Sequence, residues 1–168
     1  VGAVTWGCKV LLVNQPDGYA EMGIFNAAYQ WQVAILFIPG MLGQIVLPIL
    51  SSLNGPHDQA KYRSALKYNI FINGSTAFLA AAVVALCAHW IMIFYGTGFE
   101  QGKWVLVCLA LTTVLVSINN VVGNAIVSKG KIWTGFTFNA LWATALLLST
   151  WLLLNMGYGS LGLACAML

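Results

Sequence analysis

The hydrophobic positions of the chain fall into long uncharged runs that short polar segments separate. A helix needs about 20 mostly apolar residues to span a hydrocarbon core of about 30 Å. Four runs are long enough, at 22–50, 70–95, 104–128 and 132–154, and two partial spans cover 1–13 and 158–168. The runs lack the strict alternation and the short length of barrel strands. The pattern therefore predicts an all-α polytopic transmembrane bundle with four complete and two partial spans.

The segments between the spans carry turn-forming residues or a polar helical pattern. Turns are predicted at 14–18, 54–56, 96–98 and 155–157. The stretch DQAKYRSALKY at 58–68 predicts a polar helix that lies at the membrane surface before the next span begins. Pro39-Gly40 predicts a bend in the first full span. Since no linker divides the chain and both ends fall in apolar runs, we expect one transmembrane domain over 1–168, cut from a longer protein.

Composition agrees with a membrane protein and excludes several soluble classes. The chain is 60% hydrophobic and 7% charged, whereas soluble domains carry roughly 25% charged residues. A cytosolic enzyme, a disordered segment and a nucleic-acid binder are therefore excluded. The four cysteines are far apart without metal-ligand spacing, and no Ser/His/Asp constellation is present. We expect neither a metal site nor enzymatic catalysis.

The charges predict the orientation of the spans. If the loops are numbered alternately, one side receives one acid, Asp58, and five cations: Lys61, Arg63, Lys67, Lys129 and Lys131. The other side receives one cation, Lys103, and three acids: Asp17, Glu21 and Glu100. The positive-inside rule makes the first side cytoplasmic.

Polar residues inside the spans form stripes at helical spacing. The first full span carries Asn26, Gln30 and Gln44 within a 40° arc, at 100° per residue. The second carries Asn69, Asn73 and Thr76 on one face, and the third carries Thr112 and Asn119 with Asn120 and Asn124 beside them. Polar groups that face lipid are costly, so these faces are expected to turn inward. Two interpretations stay open. Either these polar residues form contacts that hold helices together, or they line a water-filled cavity for a polar solute.

The basic residues also allow two interpretations each. Lys9 lies within the first partial span about one turn from its outer end, where it snorkels to the interface or faces a central cavity as a charge for phosphate. The cluster of Lys61, Arg63 and Lys67 sets orientation and meets anionic headgroups, or it docks a substrate phosphate. No complete span contains Asp or Glu, so the acid of any coupling to a proton or sodium gradient is expected outside this chain.

Five motifs in order carry a resemblance to a known family. They are GYAEMGIFNAAYQW at 18–31, LPILSSL at 47–53, YGTGF at 95–99, the set Trp133, Asn139 and Trp142, and GYGSLGLA at 157–164. In this order they resemble the bacterial polysaccharide biosynthesis proteins, the O-antigen flippases of the multidrug, lipid-linked oligosaccharide and polysaccharide exporter superfamily. The resemblance covers nearly the whole chain.

The resemblance implies a fold and a function. It implies the C-terminal bundle of a two-bundle transporter, whose N-terminal bundle is the missing partner, in the bacterial inner membrane. The implied activity is the translocation of undecaprenyl-pyrophosphate-linked oligosaccharide by alternating access, with the pyrophosphate in a central cationic cavity. Lys9 suits that cavity but is not part of the family pattern. The alternatives are a cation-coupled small-molecule exporter of the same fold, a membrane enzyme that acts on the same glycolipid, and a non-transporting membrane subunit.

Overall fold

The described residues form a bundle of α-helices. The computed structural model describes residues 2–53, 58–96 and 98–168, with only the main chain of Leu47. The helices are α1 (Gly2–Val13), α2 (Gly18–Ser52), α3 (Gln59–Phe94), α4 (Lys103–Ser128), α5 (Ile132–Asn155) and α6 (Gly159–Ala166), and a 3-10 turn at Glu100–Gly102 precedes α4. Within these residues there is no strand, and α2 to α5 are long and apolar enough to cross a membrane. The predicted all-α polytopic bundle is confirmed.

Two helices are longer than the apolar runs that predicted them. The 35 residues of α2 extend for about 52 Å at 1.5 Å per residue, well beyond a hydrocarbon core of about 30 Å. The helix continues through both Pro39 and Pro48 without a break. The predicted turn at 54–56 and Thr97 of the predicted turn at 96–98 lie outside the described residues.

The polar stretch at 58–68 is helical from Gln59, as predicted, and it is continuous with the span that follows it. It forms the first turns of α3, which packs along α4 more extensively than any other described pair of helices. The buried Tyr62 hydroxyl donates to the carbonyl oxygen of Ala125 at 3.2 Å and lies 3.1 Å from the Ser128 hydroxyl. The charges of this stretch did not indicate the role of Tyr62, whose ring and hydroxyl bind the end of α4.

Glycines end two of the long helices. Gly130 and Gly157 follow α4 and α5 with φ of 70° and 82°. In each case the main-chain N–H two residues after the helix cap donates to a carbonyl oxygen of the last helical turn. These hydrogen bonds run from Lys131 to Ile126 at 3.2 Å and from Tyr158 to Leu153 at 3.2 Å. This is the Schellman arrangement, which favours glycine because a side chain strains the left-handed conformation.

The turn between α1 and α2 depends on a close approach of main chain. Gly18 begins α2 directly against the end of α1. A Cβ atom on Gly18 would lie 2.5 Å from the carbonyl oxygen of Leu12 and 2.6 Å from the carbonyl carbon of Val13. The first residue of the GYAE motif is therefore glycine for a steric reason.

The packing of the bundle differs between its two ends. We call the end with Tyr62, Ser128 and Lys129 the basic end, since Lys129 Nζ lies 4.9 Å from the centre of the Tyr62 ring there. The main hydrophobic cluster, which includes Phe25, Met92, Leu106, Leu154 and Leu163, lies in the opposite halves of the helices. Toward the basic end, none of the described residues 2–7 and 132–145 is fully buried, and of these residues only Val4 packs against the main cluster.

Candidate functional site

The side chain of Lys9 joins α1 to α2 through a polar and aromatic contact. Its ammonium lies 3.3 Å from Asn26 Oδ1, to which it donates. It also lies over the ring of Tyr29, at 4.3 Å from the centre, and 5.6 Å from the centre of the Phe25 ring. Lys9 and Asn26 are both half-buried. The charge is thus held in place by a hydrogen bond and by ring faces, while part of it stays accessible to a ligand.

The direction of the Lys9 side chain differs from snorkelling. Lys9 lies four residues before the end of α1 at Val13, which is about 6 Å along the axis. Asn26 and Tyr29 lie about 12 Å and 16 Å from the start of α2 at the same end. The ammonium therefore points toward the middle of the bundle, as expected for a side chain that leans toward its helix N-terminus. The Lys9 side chain thus does not extend toward the outer end of α1, and a role toward a substrate phosphate stays a prediction.

The polar stripe of α2 lies on the outside of the described bundle. Asn26 is half-buried against Lys9, whereas Gln30 and Gln44 are exposed and Phe37 between them is 62% exposed. The buried residues of the same helix, among them Ala28 and Ile35, occupy the opposite face. The expectation that this stripe turns inward is therefore not met within the chain. Sequence reasoning also missed Gln32, a glutamine that is only 5% exposed on the core side of α2.

The amides of α3 and α4 separate into two groups. Asn73 donates through Nδ2 to Asn69, to both its main-chain and its side-chain oxygen, and Ser117 donates to the Asn73 carbonyl oxygen at 3.1 Å. Asn69 and Asn73 are buried, and within the described residues Asn69 Nδ2 and Asn73 Oδ1 have no hydrogen-bond partner. The two amides bond within α3, and of these hydrogen bonds the one from Ser117 joins α4 to α3.

The second group lies along α4. Asn124 is half-buried and donates to the Gly43 carbonyl oxygen of α2 at 3.4 Å. Asn119 and Asn120 are exposed, contrary to the expectation that this face turns inward. The structure thus brings Lys9 and Asn26 together. Gln30 and Gln44 lie farther along the same face of α2, and Asn73 and Asn119 lie on other helices.

Glu21 has a structural partner that the sequence did not indicate. Its Oε2 accepts a hydrogen bond from the Ser160 main-chain N–H at 2.7 Å. Ser160 lies in the first turn of α6, where free N–H groups and the helix dipole favour a negative charge. A Cβ atom on Gly159, where φ is 49°, would lie 2.7 Å from the same carboxylate oxygen. Glu21 of α2 therefore caps α6.

This cap predicts a loss of stability that depends on the carboxylate. Glu21→Ala is expected to lower the free energy of unfolding by about 1.5–3 kcal/mol, the range for a hydrogen bond to a charged group. Glu21→Gln keeps an acceptor and loses the charge, so we expect a cost of about 0.3–1 kcal/mol. Thermal unfolding of the purified full-length protein in detergent measures both. Glu100→Ala is the matched control, since Glu100 is an exposed acid at the same end, and equal shifts for Glu21→Ala and Glu100→Ala would contradict the cap.

The basic end gathers the predicted cluster of cations. Lys61, Arg63 and Lys67 are all exposed on the first turns of α3. Lys61 forms an ion pair with Asp58 at 2.9 Å, and Lys129 from the next turn lies over Tyr62. The structure therefore brings the segments at 58–67 and 129–131 to one end, as the alternation of spans predicts.

The cysteines do not form a metal site in the described part of the chain. Within it, no three His, Cys, Asp or Glu side chains are placed to hold a metal ion. Cys8 is buried and accepts a weak hydrogen bond from the Thr150 hydroxyl at 3.6 Å, while Cys108 and Cys165 are free thiols whose sulfur atoms lie 3.7 Å apart. These contacts join α1 to α5 and α4 to α6.

These features define a class of protein. The chain is a bundle of long apolar helices with one strongly basic end, and the short apolar helix α1 carries a cation held among amide and aromatic groups. This is the general form of a polytopic helical membrane protein.

Comparison with curated proteins gives two relatives of one kind. The chain is 30% identical over 166 residues to the EPS I polysaccharide export inner membrane protein EpsE of Ralstonia nicotianae, which covers 96% of this chain and 37% of that protein. It is 28% identical over 167 residues to the protein of the same name from Ralstonia solanacearum, with coverage of 98% and 38%. The chain thus spans a little over a third of the length of these relatives. Together with the four long apolar helices, they make it a multi-pass inner membrane protein.

No model of a known protein family matches the chain, and no solved structure is significantly similar to it.

Proposed function

We propose that this chain is part of an exporter that moves an undecaprenyl-pyrophosphate-linked oligosaccharide, a repeat unit of O-antigen or another polysaccharide, across the inner membrane. The observation that carries the proposal is the Lys9 ammonium, held 3.3 Å from Asn26 Oδ1 and over the Tyr29 ring. Both relatives, named as polysaccharide export proteins, support it at the level of export. The resemblance of the ordered motifs to O-antigen flippases supports the finer statement.

The chemistry of this site suits the polar part of such a substrate. An ammonium binds phosphate oxygens as a point charge. Amide side chains such as Asn26 and Gln30 both donate to and accept from sugar hydroxyls. Because the stripe that continues to Gln44 lies outside the described bundle, we propose that it faces the cavity between this bundle and the rest of a longer chain.

The uneven packing of the bundle also suits alternating access. The main cluster lies away from the basic end, and α1 and α5 are less buried toward it. In our proposal the well-packed half acts as a rigid unit, while the predicted cytoplasmic half opens to admit the substrate. The role is transport and not catalysis. Glu21 is engaged with α6, so any coupling to a proton or sodium gradient uses a group elsewhere in the longer protein.

The test is complementation with the full-length gene in a bacterial strain that lacks its own O-antigen flippase. We expect surface polysaccharide to be restored. A protein that reaches the membrane and restores no polysaccharide, in that strain and in a strain that makes its cognate repeat unit, would refute the proposal.

A further inference from the structure

A mixed polar and aromatic groove follows α3 at the basic end. Ser64, Lys67, Tyr68 and Phe71 line an open cavity of about 470 Å³. Their spacing of i, i+3, i+4 and i+7 places them along one face of the helix. All four are exposed, with Tyr68 69% and Phe71 73% exposed. The groove therefore presents an ammonium and two hydroxyls first, and an apolar ring one turn farther along.

The contacts of α3 fix the level of this groove along the bundle. Tyr62 lies beside the last turn of α4, to which its hydroxyl is bonded. Along α3, Lys67 lies about 7 Å from Tyr62, and Phe71 lies about 13 Å from Tyr62. A headgroup region is about 5–7 Å thick on each side of the hydrocarbon core. If the end of α4 meets water, Lys67 lies at the inner boundary of the headgroup region, from which its long side chain reaches back to the lipid phosphates, and Phe71 lies among the acyl chains.

The charge of Lys67 is not neutralised by its surroundings. Between the described residues the ion pair of Lys61 with Asp58, at 2.9 Å, is the only one. Lys129 is placed over Tyr62 instead, and Arg63 and Lys131 add to the positive charge of the same end. An anion is therefore the complementary partner for this surface.

We propose that Ser64, Lys67, Tyr68 and Phe71 form a binding site for an anionic glycerophospholipid of the cytoplasmic leaflet. The ammonium and the Ser64 hydroxyl bind the phosphate, Tyr68 binds the glycerol ester region, and Phe71 packs against an acyl chain. The site is separate from Lys9 and does not depend on the proposed export function. It goes beyond nonspecific attraction of basic residues to headgroups, because it assigns the lipid to one face of one helix.

The test is native mass spectrometry of the delipidated full-length protein in detergent. The probes are phosphatidylglycerol, phosphatidylcholine with the same acyl chains, and farnesyl pyrophosphate. The variants are Lys67→Gln and the matched control Lys131→Gln, which removes the same charge from the same end on another segment. We expect Lys67→Gln to reduce the affinity for phosphatidylglycerol by about fivefold, the effect of one cation near the membrane surface. Binding of phosphatidylcholine should be unchanged.

Three results would overturn the proposal. Equal losses in Lys67→Gln and Lys131→Gln would show diffuse attraction without a site. A wild-type protein that binds both phospholipids equally would show that the groove does not select an anionic headgroup. Tighter binding of farnesyl pyrophosphate than of phosphatidylglycerol, lost in Lys67→Gln, would assign the groove to a prenyl-linked substrate.

Discussion

Replacement of Lys9 by alanine is expected to reduce polysaccharide export by roughly tenfold or more, since a hydrogen bond to a charged group contributes about 1.5–3 kcal/mol. The amount of protein in the membrane should stay unchanged, because Lys9 and Asn26 are both only half-buried and loss of the ammonium leaves no charge without a partner. The measurement is surface polysaccharide in the complementation strain, normalised to membrane protein detected by immunoblot.

Two further variants make this prediction specific. Lys103→Ala is the matched control, because the Lys103 ammonium also lies over an aromatic ring, that of Trp104 at 5.3 Å, but in the first turn of α4 and not on the helices that carry Lys9 and Asn26. We expect it to export normally. Lys9→Arg keeps the charge with a different shape, so partial export is expected. Normal export by Lys9→Ala would remove Lys9 from the substrate site.

Replacement of Gly18 by alanine is expected to destabilise the protein by about 1–3 kcal/mol, the range for overpacked sites. The added Cβ would meet main-chain atoms of Leu12 and Val13. Main chain cannot rotate away as a side chain does, so the turn between α1 and α2 must open. Since α1 carries Lys9 and α2 carries Asn26, the same opening should also weaken export.

Gly23→Ala is the matched control for this prediction. Gly23 lies on the same helix, and a Cβ atom there meets nothing within 4 Å. Alanine in a helix interior is favoured over glycine by about 0.5–1 kcal/mol, so this variant should be as stable as the wild type or slightly more so. Thermal unfolding in detergent compares the two. Similar midpoints for Gly18→Ala and Gly23→Ala would show that the turn adapts to a side chain.

Most of the secondary structure follows from local features of the sequence. Uncharged runs longer than a bilayer predict spanning helices, and Gly130 and Gly157 mark helix ends because their main-chain conformation is strained for other residues. The segment at 58–68 was also predicted to be helical, and the structure makes it the start of α3. The charges of this segment indicate its exposed face. The packing of Tyr62 on the other face joins the segment to the end of α4.

The buried faces of the helices were harder to predict. In a soluble helix, alternation of polar and apolar residues shows which side is buried, but in a membrane both the lipid-facing and the core-facing residues are apolar. The polar stripes therefore had to serve as the only guide. The prediction that polar faces turn inward was right for Asn69 and Asn73, which are buried. Within this chain it was wrong for Gln30, Gln44 and Asn119, which are exposed.

The sequence by itself determined the class of this protein, its six helical segments and the segregation of its cations to one end, because hydrophobicity, turn chemistry and charge act over a few residues at a time. Only the tertiary structure decided that Lys9 points along α2 to Asn26 and Tyr29, and that Glu21 caps a helix 139 positions later in the chain. Contacts of this kind depend on which helices lie side by side, and the residues next to each other in the sequence do not determine that packing.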